Sequence, residues 1–262
     1  MPLLQSWEMP KFVTIGEVID FFHQIFEGLQ YMHANGVAHR DCKYNNILMD
    51  PTGLYSLLPH PLQPHLARDF RSTPLHTTRT LAPVKYYFID FGLAKKYDLS
   101  APPEVRLEPP GWGAGDWTIP EFKKDELCDP FAVDVYCIGH LIQSHFLEGD
   151  EHSNRKKGFE FMRRLVKDMC KENPKNRPTM DEVMERFEDV CVRLSDRKLR
   201  SRVASKKELW IVTLFRSYHH RRTQNELARQ GIAAIPNCPP ELAHRPPSIF
   251  RRIFSKRTPT KS

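Results

Sequence analysis

Between residues 35 and 50 the chain places more chemistry than anywhere else along its length. Asn35-Gly36 closes an apolar-periodic segment, and His39-Arg40-Asp41-Cys42-Lys43-Tyr44-Asn45-Asn46 follows, leading into Ile47-Leu48-Met49-Asp50. A carboxylate, an ammonium and a carboxamide stand at offsets 0, +2 and +5. Upstream, Thr14-Ile15-Gly16-Glu17 has capping-box spacing, and Val18, Phe21, Phe22, Ile25, Leu29 and Met32 recur at helical intervals. Downstream, Ile47-Leu48-Met49 reads as a short strand and Val84 to Ile89 as its partner, ending on Asp90. The fold must therefore pin a polar loop between an amphipathic helix, whose stripe is core, and a small piece of sheet.

That residue set suits phosphoryl transfer. The reaction needs a carboxylate to orient the attacking hydroxyl (Asp41), a cation against the transferring oxygens (Lys43) and an oxygen donor to Mg²⁺ (Asn46). The loop resembles the protein-kinase catalytic loop H-R-D-x-K-x-x-N at every defining position, and Asp90-Phe91-Gly92 resembles the metal-binding motif of that family. A lone His-Arg-Asp is most often a surface turn. Here Ile119-Pro120-Glu121, Asp134 to Gly139 and Asn176-Arg177-Pro178 follow in family order.

The resemblance implies a mainly α fold: an α+β protein-kinase-like large (C-terminal) lobe, a helical bundle with a short β-hairpin at the catalytic cleft. It implies ATP and Mg²⁺ as cofactors and a protein as substrate. Asn46 and Asp90 would hold Mg²⁺, Leu48 would floor the adenine pocket, and Leu4 would lie in the hinge strip. His39 and Phe91 would belong to the regulatory stack, with Gly92 completing the motif. Asp134 would accept from backbone amides of the catalytic loop, and Glu121 should pair with Arg177. Lys43, two after Asp41, points to the Ser/Thr type. Ala114 and Trp117 depart from the expected acceptor-binding loop. Arg40, which in relatives often holds an activation-segment phosphate, finds no Ser, Thr or Tyr between Ser100 and Thr118. Glu104 or Glu108 would supply the anion, or Arg40 would bond backbone carbonyls.

The resemblance covers residues 1 to about 194 and only the large lobe: the phosphate-covering glycine loop, the strand lysine and the helix glutamate have no counterpart in this sequence. A protein kinase-like domain is the first reading. A catalytically dead pseudokinase-like interaction module, or a fragment of an incomplete gene model, is the alternative. Small-molecule phosphotransferases share the Asp and Asn but usually lack the Arg177 partner and Pro120-Glu121.

Residues 51–83 form an insertion with prolines at 51, 59, 61, 64, 74 and 83, too long for a hairpin loop and too proline-rich for a sheet. The reading is an exposed, disordered segment or a partner-binding one. Residues 195–262 hold 16 Lys and Arg against 4 Asp and Glu, whereas the rest of the chain holds 23 against 28. This basic tail, with a basic amphipathic helix over 205–229, a proline-rich loop and the basic run Arg251 to Arg257, is expected to be solvated. Nuclear import or an anionic membrane surface are the other readings; nucleic acid is disfavoured because no stacking or groove-reading motif accompanies the charge. Six scattered cysteines without a C-x-x-C pair argue against disulfides or zinc. The lack of a membrane-length apolar run or signal segment predicts an intracellular protein of cytoplasm or nucleus.

Overall fold

The computed structural model describes residues 3–111, 117–149 and 154–237. Strand β1 (Gln5–Ser6) leads to helix α1 (Ile15–Ala34). Thr14 and Glu17 close the capping box at its start, and Gly36, at φ +72°, turns the chain away at its end. Val18, Phe21, Phe22, Ile25, Phe26 and Leu29 are buried, so the periodic stripe is the spine of the core.

Strand β2 (Val37–Ala38) enters the polar loop, β3 (Ile47–Met49) leaves it, and after an excursion through β4 (Tyr55–Leu57), β5 (Pro59–His60), β6 (Gln63–Ala67) and β7 (Leu75–His76) the chain returns as β8 (Tyr86–Phe88). The expected hairpin of β3 and β8 gains a third strand. β1 lies antiparallel on the other edge of β3, giving the order β1-β3-β8, because two residues of extended backbone satisfy an edge that would otherwise stay open. β9 (Lys95–Lys96) pairs with β2.

Helices follow the cleft strands. They are α2 (Pro120–Lys124), α3 (Pro130–Ile142), α4 (Arg163–Met169), α5 (Met180–Val192) and the short α6 (Asp196–Leu199). Asp129 caps α3, and Thr179 with Glu182 forms a second capping box on α5. Phe22 packs edge-on to Phe146, Phe159 and Phe187, which ties α1 to the turns before α4 and to α5.

The insertion departs from the expectation of disorder. β4 pairs with β7 and β5 with β6, with register shifts in both, and Pro59 stands at the shift in the second. Its far end is anchored: Arg79 is fully buried, its Nη2 donates to the Trp7 carbonyl at 2.7 Å, and its guanidinium lies 3.9 Å from the Phe12 ring centroid. Beside it, the Thr80 amide and hydroxyl both donate to Glu17.

Nor are residues 195–237 a solvated tail. Ile15 donates its amide to the Ser201 carbonyl and Val203 to Val13, while Lys157 donates to Ala204. Helix α7 (Trp210–Arg229) is followed by a segment in which the Ala234 carbonyl sits against Gly16, where a side chain would collide with it. Asn237 then donates to Asp20 and to the Val84 carbonyl. The basic run 251–257 and most of the proline-rich loop lie outside the described residues.

Candidate active site

The polar loop is held from below by one buried carboxylate. Asp134, on α3, accepts the backbone amides of His39 (2.7 Å) and Arg40 (2.7 Å), and its Oδ2 lies 3.1 Å from His33 Nε2. A buried anion that receives backbone donors is satisfied by charge-assisted bonds, and here those bonds fix the path of the loop. Arg40 takes a left-handed conformation at φ +68°, uncommon for a side-chain-bearing residue and sustained by its surroundings. From the other side, Trp7 donates its indole N–H to the Tyr44 carbonyl at 2.9 Å.

On this platform three of the predicted residues converge. Asp41 is buried; its Oδ2 lies 3.0 Å from Lys43 Nζ and accepts from Asn46 Nδ2 at 2.8 Å, and the same amide nitrogen donates to the Asp41 carbonyl. With its nitrogen committed to Asp41, Asn46 keeps its amide oxygen for another partner. Asp90 lies two residues beyond β8, exposed and left-handed at φ +62°, directly after Ile89, whose amide donates to the Asn46 carbonyl. An amide oxygen just before β3 and a carboxylate just after β8 are hard oxygen donors of the kind Mg²⁺ takes, with substrate phosphates completing its shell. This donor set fits Mg²⁺.

His39 is buried, its ring 5.0 Å from that of Phe91, and its Nε2 lies 3.1 Å from the Ile89 carbonyl. Phe91 is 52% exposed and Gly92 is exposed in the turn after it. A groove of about 250 Å³ between α1 and β8, lined by Ile25, Met32, Tyr86 and Phe88, runs up to Phe91. Leu48 is half-buried at the centre of the sheet, opposite Ser6 on one side and Tyr87 on the other, and Leu4 immediately precedes β1.

Arg40 reaches a backbone carbonyl. Its Nη1 donates to the Leu93 carbonyl at 3.4 Å. Glu108 pairs with Lys95, and that hydrogen bond, together with the charges of Lys95 and Arg40, holds its carboxyl below the usual range. Glu104 is exposed, and Ala114 falls outside the described residues. Farther off, Arg177 Nη1 and Nη2 donate to the two oxygens of Glu121. Three contributors were not read from the sequence: His33, Trp7 and the insertion anchor Arg79. His33 stands in the last turn of α1 and carried a weak signal as a basic helix end; the other two are single residues in irregular segments, without periodicity or motif.

A carboxylate braced by a lysine and an asparagine, with a left-handed Asp just beyond a strand, stands above a group of packed helices. The protein kinase domain matches residues 3–187, more than half of the chain, and the chain belongs to that family. It is similar to the serine/threonine-protein kinase HAL5 of Saccharomyces cerevisiae, 27% identical over 120 residues, which is 45% of this chain and 10% of that protein. It is similar to the serine/threonine-protein kinase CAK1 of the same species, 26% identical over 133 residues, 49% of this chain and 28% of that protein. Against the probable serine/threonine-protein kinase RTK1, also of that yeast, it is 25% identical over 155 residues, 59% of this chain and 20% of that protein. The chain thus spans well under a third of the length of these relatives.

Proposed function

We propose that the chain carries the catalytic lobe of a protein kinase, transferring the γ-phosphoryl of Mg-ATP to Ser or Thr of a protein. The observation that carries the reading is the convergence of Lys43 and Asn46 on one oxygen of Asp41. The carboxylate is thereby held in one orientation to receive the acceptor hydroxyl, while Lys43 stands ready beside the transferring group. Mg²⁺, held by Asn46 and Asp90, would supply charge neutralisation at the phosphates. Leu48 would contact the adenine, and Leu4 would lie on the hinge side. The exposed Phe91 and the groove running up to it would be covered by a small lobe, whether supplied upstream or by a separate chain. The names of the relatives, both serine/threonine-protein kinases, support the Ser/Thr type.

The test is phosphate incorporation from radiolabelled Mg-ATP into Ser/Thr peptides, with the chain alone and with a small lobe supplied. Asp41→Asn should lower the rate by roughly a hundredfold or more while leaving the melting temperature within a few degrees. Equal rates in the two proteins would refute the role of Asp41. No transfer under either condition would favour the interaction-module reading.

A further inference from the structure

Helix α7 is turned inside out. The side chains that attach it to the lobe recur three and four residues apart and are largely polar: Thr213 and Arg216 bond Glu208, His220 bonds the Arg200 carbonyl at 2.7 Å, and Gln224 and Leu227 are buried. The opposite face carries Trp210, Ile211, Leu214, Phe215 and Tyr218, each between 61 and 74% exposed. At 1.5 Å per residue this stripe is about 12 Å long. Apolar surface of that size, facing away from the core on a helix whose other face is already engaged, is a binding surface in search of a cover.

The charges around the stripe name the cover. Exposed Lys206 and Lys207 precede it, and exposed Arg221 and Arg222 follow on the next turn of the same face. The one carboxylate between residues 205 and 222, Glu208, is engaged by Arg202, Thr213 and Arg216, which leaves the outward face without an anion. We propose that α7 lies on an anionic membrane surface, its five apolar side chains entering the headgroup boundary and its flanking cations meeting lipid phosphates and carboxylates. Aromatic and aliphatic side chains between clusters of Lys and Arg are the composition of helices that rest in that interface, and Trp and Tyr favour its depth. The polar attachments on the other face keep the catalytic loop's lobe tethered to the bound helix. Because the basic residues outside the described region sit on the same chain, they add attraction that is screened by salt.

The experiment is co-sedimentation of the full chain with vesicles of phosphatidylcholine alone, or with about a third phosphatidylserine. The wild type should sediment with the anionic vesicles and scarcely with the neutral ones. Leu214→Glu with Phe215→Glu should weaken that binding by about tenfold or more, since it replaces buried apolar groups with anions at a negative surface. Arg221→Ala with Arg222→Ala should weaken it severalfold at low salt. Should the double Glu variant lose its fold, Trp210→Ser probes the same face through one exposed position. The proposal is overturned if anionic vesicles leave the wild type in solution. It is equally overturned if both stripe variants sediment like the wild type, which would assign the binding to the basic terminus, or if the stripe instead mediates a dimer that Leu214→Glu with Phe215→Glu dissolves.

Discussion

Glu121 and Arg177 meet as a buried bidentate pair, Nη1 to Oε1 at 2.7 Å and Nη2 to Oε2 at 2.6 Å, although they are 56 residues apart. The Arg177 fork also donates to the carbonyls of Lys171, Ala132 and Glu172, and its guanidinium lies 4.9 Å from the Tyr136 ring centroid. One guanidinium therefore joins α2 to α3 and to the turn after α4. Removing either partner leaves the other charged and unpaired in the interior, so Glu121→Ala and Arg177→Ala should each cost about 3 to 5 kcal/mol. Urea denaturation of both single variants and the double variant should show the double scarcely worse than either single. Additive losses would mean that the pair is not coupled.

Glu17 does two jobs on one carboxylate. One oxygen completes the α1 cap by accepting from the Thr14 amide and also takes the Val13 amide at 2.6 Å, and its other oxygen receives the amide and hydroxyl of Thr80. Glu17→Ala should therefore destabilise the fold by roughly 3 kcal/mol, with several buried donors left unmet, and should raise hydrogen exchange specifically at residues 77–82. Exchange there unchanged from the wild type would show that the insertion is not secured through this residue.

Asp20 contributes a pH dependence of its own. Burial on α1 pushes its carboxyl up to about 6, against the hydrogen bonds from Asn237 and Gln24 that favour the anion. A carboxyl raised in the folded state disfavours folding wherever it must ionise, so this contribution strengthens stability as pH falls from above 6 toward 4, where the unfolded chain also becomes protonated. Asp20→Asn keeps an acceptor for both amides and removes the ionisation. It should melt higher than the wild type at pH 8, by up to roughly 3 kcal/mol, with the gap closing near pH 4. A gap independent of pH would assign the effect to packing.

How much of this was written in the sequence follows from how each part is held. Asp41, Lys43 and Asn46 lie within six consecutive residues, so the chain's local geometry delivers them to one another and the pattern could be read directly. Asp134 and the Glu121–Arg177 pair were legible only through the order of motifs, because nothing local specifies a partner so far along the chain. The insertion misled because its prolines argue against regular strands, whereas its order comes from Arg79 and Thr80 reaching back to Trp7 and Glu17. The attachment of residues 195–237 was hidden for the same reason: it rests on backbone bonds such as Val203 to Val13, which any sequence can make. An amphipathic helix was expected over 205–229, but only the structure shows its apolar side facing outward.

If Asn46 and Asp90 form the metal end of a nucleotide site, a thermal-melt titration of the 262-residue chain with Mg-ATP shows it most directly. On the proposed reading the nucleotide would meet one wall, at Leu48 and Leu4, and two oxygen donors, Asn46 and Asp90. The dissociation constant should therefore lie at or above about a millimolar, and stabilisation grows as RT ln(1 + [L]/Kd). The melting temperature should rise only at millimolar nucleotide, and Asp90→Ala and Asn46→Ala should each abolish the rise. A rise already present at micromolar Mg-ATP would contradict the weak half-site described here, and one that survives both substitutions would contradict the site itself.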